Sequence, residues 1–123
     1  MHEVSKNYTY AVVGASNNSQ KYGHKVLADL NSKGFLVVPI NPHEKQILGL
    51  SAYADISSCP QKIDVVIFVV PPKIAFSILQ QAIKSGIKKF WFQPGSESKE
   101  ANEFCSKNSC ECITGSCIML ESK

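Results

Sequence analysis

Gly14, Ala15 and Ser16 are the residues best placed to do chemistry in this chain, because they follow the apolar run Tyr10–Val13 directly. A strand that enters a small-residue turn, with the next periodic segment starting at Tyr22-Gly23, gathers backbone N–H groups beside a helix N-terminus. That arrangement binds an anion, and a phosphate suits it best. The histidines point less clearly. His2 falls in an expected N-terminal tail (residues 1–7), His24 on the first helix and His43 in a loop, and none stands beside a nucleophile in sequence. His24 is close enough to the helix start to meet a phosphate, but a solvated or locally bonded ring is the favoured reading.

Five cysteines, Cys59, Cys105, Cys110, Cys112 and Cys117, form the other reactive set. The odd number and the crowding of four near the C-terminus argue against a disulfide framework. The C-x4-C-x-C-x4-C spacing lacks the paired knuckles of a zinc site, so no metal is expected. The expectation is therefore reduced thiols, mostly buried as small hydrophobes.

Composition narrows the partners. All thirteen basic residues are Lys, the formal net charge is +3, and Arg is absent. Without Arg, a basic tract or aromatic–basic alternation, nucleic-acid binding is not expected. No apolar run approaches the ~20 residues of a membrane span, and the N-terminus has no secretion signal, so the expected location is cytoplasmic. At 123 residues the chain is read as a single domain, residues 1–123.

The elements that must position these groups alternate along the chain. Strands are expected over 10–14, 35–40, 63–70, 89–92 and 112–114, with a short one near 50–52. Helices are expected over 22–32 and 73–85, and a third is expected to be capped by Ser96. Ile74, Ile78, Leu79, Ala82 and Ile83 form the stripe assigned to the core on the second of these helices. Alternating strands and helices imply an α/β, doubly wound, three-layer sandwich with a mainly parallel five- to six-stranded sheet, of order 3-2-1-4-5 or similar.

Ligands of such sheets bind beyond the C-terminal strand ends. Gly14-Ala15-Ser16, Asn41-Pro42, Val70-Pro71-Pro72 and Gln93-Pro94-Gly95 converge there. A nicotinamide dinucleotide fits poorly, because G-x-G-x-x-G is missing and Asn41-Pro42 occupies the place of the ribose-binding acid.

In order, the chain carries V-G-A-S at 13–16, K-Y-G at 21–23, I-N-P at 40–42, I-L-G-L at 47–50, V-V-P-P at 69–72, W-F-Q-P-G-S-E at 91–97 and C-I-M at 117–119. With these motifs it resembles the small stand-alone CoA-binding proteins, whose Rossmann-like domain is similar to that of succinyl-CoA synthetase alpha subunits. The resemblance spans about residues 8 to 120. It implies CoA as the ligand, with Gly14, Ala15, Ser16, Lys21, Tyr22 and Gly23 at the phosphate end and Asn41 and Pro42 beside the nucleotide. Val70, Pro71 and Pro72 would pack on the adenosine or pantetheine side, and Gln93, Pro94 and Gly95 would close the rim. His43, Lys73 and the cysteines around Cys105 to Cys112 depart from the family pattern.

The function expected is non-catalytic binding of CoA or an acyl-CoA. A homo-oligomer or an acyl-transfer partner protein is compatible with that role. The alternative is a small NAD(P)-dependent oxidoreductase, or a thiol-exchange enzyme using Cys117.

Overall fold

The computed structural model describes residues 4–123. The long apolar runs form a parallel sheet of β1 (Thr9–Val13), β2 (Leu36–Ile40), β5 (Val65–Phe68), β6 (Lys89–Phe92) and β7 (Glu111–Ile113), in the order β2-β1-β5-β6-β7. Side chains alternate between its two faces with a period of two. Tyr10, Val12, Ile67 and Trp91 point to the face covered by α1 (Tyr22–Ser32) and α4 (Ile118–Glu121). Ala11, Val13, Val66, Phe68, Phe90 and Phe92 point to α2 (Pro72–Lys84) and α3 (Lys99–Lys107). Both faces are dry, which is why β5 reads as an unbroken apolar run. This is the Rossmann-like three-layer α/β sandwich, with its switch point between β1 and β5, where the chain winds in opposite directions.

Several expectations are corrected. The segment near 50–52 does not extend the sheet. Gln46–Ile47 (β3) and Leu50–Ser51 (β4) pair with each other as an antiparallel hairpin around Leu48-Gly49. Of a strand outside β2, only the bridge Ile40–Tyr53 remains, so the outermost strand of the expected order shrinks to one residue. β5 starts at Val65, later than expected, and Asp64, just before it, bonds Thr9 through side chain and backbone: its carboxylate accepts from the Thr9 N–H (2.8 Å) and its own N–H donates to the Thr9 carbonyl (3.0 Å). Ser98, not Ser96, caps α3, accepting from the Ala101 N–H at 3.1 Å. Cys105 and Cys112 are not thiols but a disulfide that ties α3 to β7, while Cys59, Cys110 and Cys117 stay free. Seven residues apart in sequence, the pair is brought together by the tight α3–β7 turn, a closeness that spacing alone did not reveal.

Of the expected tail, His2 lies outside the described residues. Val4 packs on the α1-side core, and the Ser5 N–H donates to the Tyr10 hydroxyl (3.1 Å). No helix among the described residues is long and apolar enough to cross a membrane.

Candidate functional site

The β1–α1 turn is shaped by backbone packed on backbone. Gly14 has φ +99°, and a Cβ there would stand 2.2 Å from the Val69 carbonyl oxygen. A Cβ on Gly23 would stand 1.9 Å from the Gly14 carbonyl oxygen. Only glycine at both positions lets the helix start this close to the strand end. Gly23 is therefore buried, with its Cα side packed under the turn.

The polar groups of this turn are sorted by direction. The Ala15 carbonyl accepts from the Asn41 side-chain amide and the Ser16 carbonyl from His24 Nδ1, both at 2.8 Å. A carbonyl can only accept, so Nδ1 carries the proton. The N–H groups of Ala15, Ser16, Asn17, Tyr22 and Gly23, in contrast, donate to no acceptor among the described residues. Lys21, the N-cap of α1, supplies no side-chain cap. Its exposed ammonium makes no hydrogen bond or ion pair among the described residues. Asn17 anchors the turn's far side, donating to Glu44 (2.8 Å) and to the Gln46 carbonyl (2.9 Å).

Beside the turn, on the α2 face, a cleft of about 320 Å³ opens between the ends of β1, β2 and β5. Gly14, Asn41, Pro42 and Val70 line it. Val13, Ile40, Ile56, Ile74 and Ile78 add to its apolar wall. Ile74 is 47% exposed and faces the cleft, so it does not belong to the core stripe to which helical periodicity assigned it, whereas Ile78 is half-buried, packing on the core and also lining the cleft. Periodicity marks one apolar face but does not say whether protein or a ligand covers it. An apolar side chain one turn from the Pro71-Pro72 rim was the available signal. Asp55 stands at the lip, and hydrogen bonds from the Ser57 hydroxyl and the Ser58 N–H hold its carboxyl below the usual carboxylate range.

The α1 side of the rim is filled, not open. Gln93, fully buried at the end of β6, donates to the Tyr22 hydroxyl (2.7 Å) and to Cys117 Sγ (3.2 Å), and accepts from the Ile118 N–H (2.8 Å). Tyr22 Oη and Cys117 Sγ are 3.0 Å apart. Burial pushes the Cys117 thiol up, but the hydrogen bonds from Tyr22 and Gln93 and the Met119 and Leu120 N–H groups together carry it below its ordinary value. Burial and the same sulfur push Tyr22 up to about 12. Cys110 differs: its burial is only partly countered by Lys88, and its thiol ends above the ordinary value. Lys33 holds α4 in place by donating to the Met119 and Ser122 carbonyls (2.9 and 3.1 Å).

The expected residues therefore divide. Gly14, Asn41, Pro42 and Val70 meet in the cleft, and Ala15, Ser16 and Lys21 form the turn beside it. Tyr22 and Gln93 belong to the thiol network. Pro71, Pro72, Pro94 and Gly95 are exposed on the rim outside the cleft. Ser96, read as a helix cap, instead clamps the end of β5: its hydroxyl donates to the Val70 carbonyl (2.6 Å) and accepts from the Val70 N–H (3.1 Å).

A family model described as CoA binding domain matches residues 8–123. The chain is 35% identical over 79 residues to the alpha subunit of an ADP-forming acetate–CoA ligase II from Pyrococcus furiosus, covering 63% of this chain and 17% of that protein. A solved conserved hypothetical protein from Pyrococcus furiosus is 46% identical with a TM-score of 0.90, covering 94% of this chain and 99% of that one. A dinucleotide-forming acetyl-coenzyme A synthetase 1 from Ca. Korarchaeum cryptofilum is 27% identical with a TM-score of 0.74, covering 87% of this chain and 25% of that one. The chain thus spans less than a fifth of the curated ligase relatives it matches.

Proposed function

The chain belongs to the CoA binding domain family, and from that footing we propose that it holds CoA or an acyl-CoA across the rim between β1, β2 and β5. The observation that carries this reading is the cluster of five backbone N–H groups without acceptors at the β1–α1 turn and the start of α1. Ser16, Asn17 and Tyr22 are accessible from the rim, and grouped N–H donors at a helix N-terminus call for an anionic ligand. The phosphates would rest there, with Lys21 as a mobile point charge.

The apolar cleft would take an uncharged part of the ligand. The Asp55 carboxylate at its lip repels phosphate but can accept from an amine or hydroxyl, which favours the adenosine end. The role is that of a binding module. In the ligase relatives the matching segment is a small fraction of the protein, so acyl-transfer chemistry would come from a partner protein.

Calorimetric titration of the reduced protein with CoA, dephospho-CoA and NAD tests the reading. Micromolar CoA binding that weakens about tenfold or more in Ile74→Asp and less in Lys21→Ala is expected. An absence of CoA binding, or a preference for NAD, overturns it.

A second reading, thiol exchange, is favoured by the contacts of Cys117 with Tyr22 and Gln93. The Cys117 thiolate would attack one sulfur of CoA disulfide, forming a protein–CoA disulfide and releasing CoA thiolate. Mass spectrometry after incubation with CoA disulfide tests it. An adduct of one CoA that disappears in Cys117→Ser supports exchange, and an unmodified wild-type protein rejects it.

A further inference from the structure

Three successive carbonyls at the β1–α1 turn are each occupied on the protein side. The Gly14 oxygen lies against the Cα of Gly23, the Ala15 oxygen accepts from Asn41 and the Ser16 oxygen accepts from His24. The three N–H groups that follow these carbonyls, those of Ala15, Ser16 and Asn17, have no acceptor among the described residues. Peptide units are rigid planes, so fixing a carbonyl fixes the N–H of the next residue in the opposite direction. A bond to the Ser16 oxygen therefore aims the Asn17 N–H, and a bond to the Ala15 oxygen aims the Ser16 N–H.

We infer that His24 is a positioning residue for anion binding: through Nδ1–H it holds the Ser16–Asn17 peptide with its oxygen inward and its N–H toward the ligand. Released from that bond, the same peptide can turn its carbonyl outward and present partial negative charge to a phosphate. Asn41 does the same for the peptide before it, from the opposite side of the turn. His24 is well suited to the task because it lies on the first turn of α1, which the contact between Gly23 and Gly14 locks to the strand end. The bond at 2.8 Å is partly buried, which shields it from competition with water. The sequence alone favoured a solvated or locally bonded His24 over one touching a phosphate. The inference makes the local bond itself the functional contact.

This rests on the reading of the turn as the phosphate site, and the test separates the two. Asn places an amide nitrogen where His has Nδ1, whereas Gln places one where His has Nε2. Titrations with CoA are run on the wild type, His24→Asn, His24→Gln and His24→Ala, with thermal midpoints measured alongside. His24→Asn is expected to bind within about twofold of wild type, and His24→Gln and His24→Ala about tenfold more weakly at similar thermal midpoints. Full affinity in His24→Gln, or equal loss in all three variants, overturns the inference. The first would mean that Nε2 touches the ligand, the second that the whole ring is needed.

A ligand-free arm uses 15N NMR. The wild-type ring is expected to be the Nδ1–H tautomer, and the Ser16 and Asn17 amide signals are expected to persist in His24→Asn and to move in His24→Gln. If the wild type bound no CoA, the proposed function would fall. The ring tautomer and amide signals would still decide the inference, an Nε2–H tautomer overturning it.

Discussion

The two sides of the rim end their strands alike in sequence, each in Gly or Pro punctuation, yet they are built by different forces. At the β1–α1 turn, main chain packs on main chain: Gly14 against Val69, Gly23 against Gly14. At the end of β6, the fit is made by side chains, with Gln93 joining Tyr22, Cys117 and Ile118. The first construction uses up carbonyls and leaves N–H groups over. The second satisfies its polar groups internally and leaves a thiol whose ionisation is favoured. A ligand can complete the first, whereas the second is already complete.

If that contrast is right, the backbone side should be the more brittle. Gly23→Ala drives a methyl into the Gly14 carbonyl, with only main chain to yield. It is expected to cost on the order of 4 kcal/mol or more, seen as insoluble protein or a collapse of the thermal midpoint. A near-normal midpoint would break the comparison. Gln93→Leu removes the centre of the side-chain network with little change of volume but strands the Ile118 N–H and leaves the Tyr22 hydroxyl with Cys117 alone. A loss of about 1–3 kcal/mol in denaturant unfolding is expected, with CoA binding largely kept. A large loss of CoA affinity in a folded Gln93→Leu protein would show that the two sides form one site.

The smallest effect is electrostatic. Tyr22→Phe removes a hydrogen bond that favours the Cys117 thiolate, so the pH midpoint of Cys117 alkylation should rise while stability changes little. The signs for folding follow. Cys117 is lowered in the folded state, so its contribution is present above the unfolded thiol value and is lost as pH falls through the folded one. Tyr22 is raised to about 12, so its contribution is present below about 10, its ordinary value, and is lost as pH rises toward 12. Thermal midpoints should therefore drop between about pH 10 and 12 in the wild type, and less in Tyr22→Phe.

Most of the fold could be read from the residues, because buried parallel strands leave continuous apolar runs such as Ile63–Val70 and because Gly34 and Gly86 end helices in a way composition shows. The errors fell where two local signals competed. Ser96 and Ser98 are both capping residues, and only the contacts of Ser96 with Val70 decide between them. Gln46 to Ser51 is short enough to pair with the sheet or with itself. Ile74 obeys the helical stripe, but it lines the cleft and not the core.

The sequence by itself determined the alternation of elements, the parallel sheet and the small-residue turn after β1, since these follow from local periodicity and chain stiffness. Only the tertiary structure decided that Gly23 packs on the Gly14 carbonyl, that His24 and Asn41 hold the turn's carbonyls, and that Cys117 meets Tyr22 and Gln93. Those contacts join residues 8 to 95 positions apart. Their partners are chosen by how the layers stack, which no local pattern records.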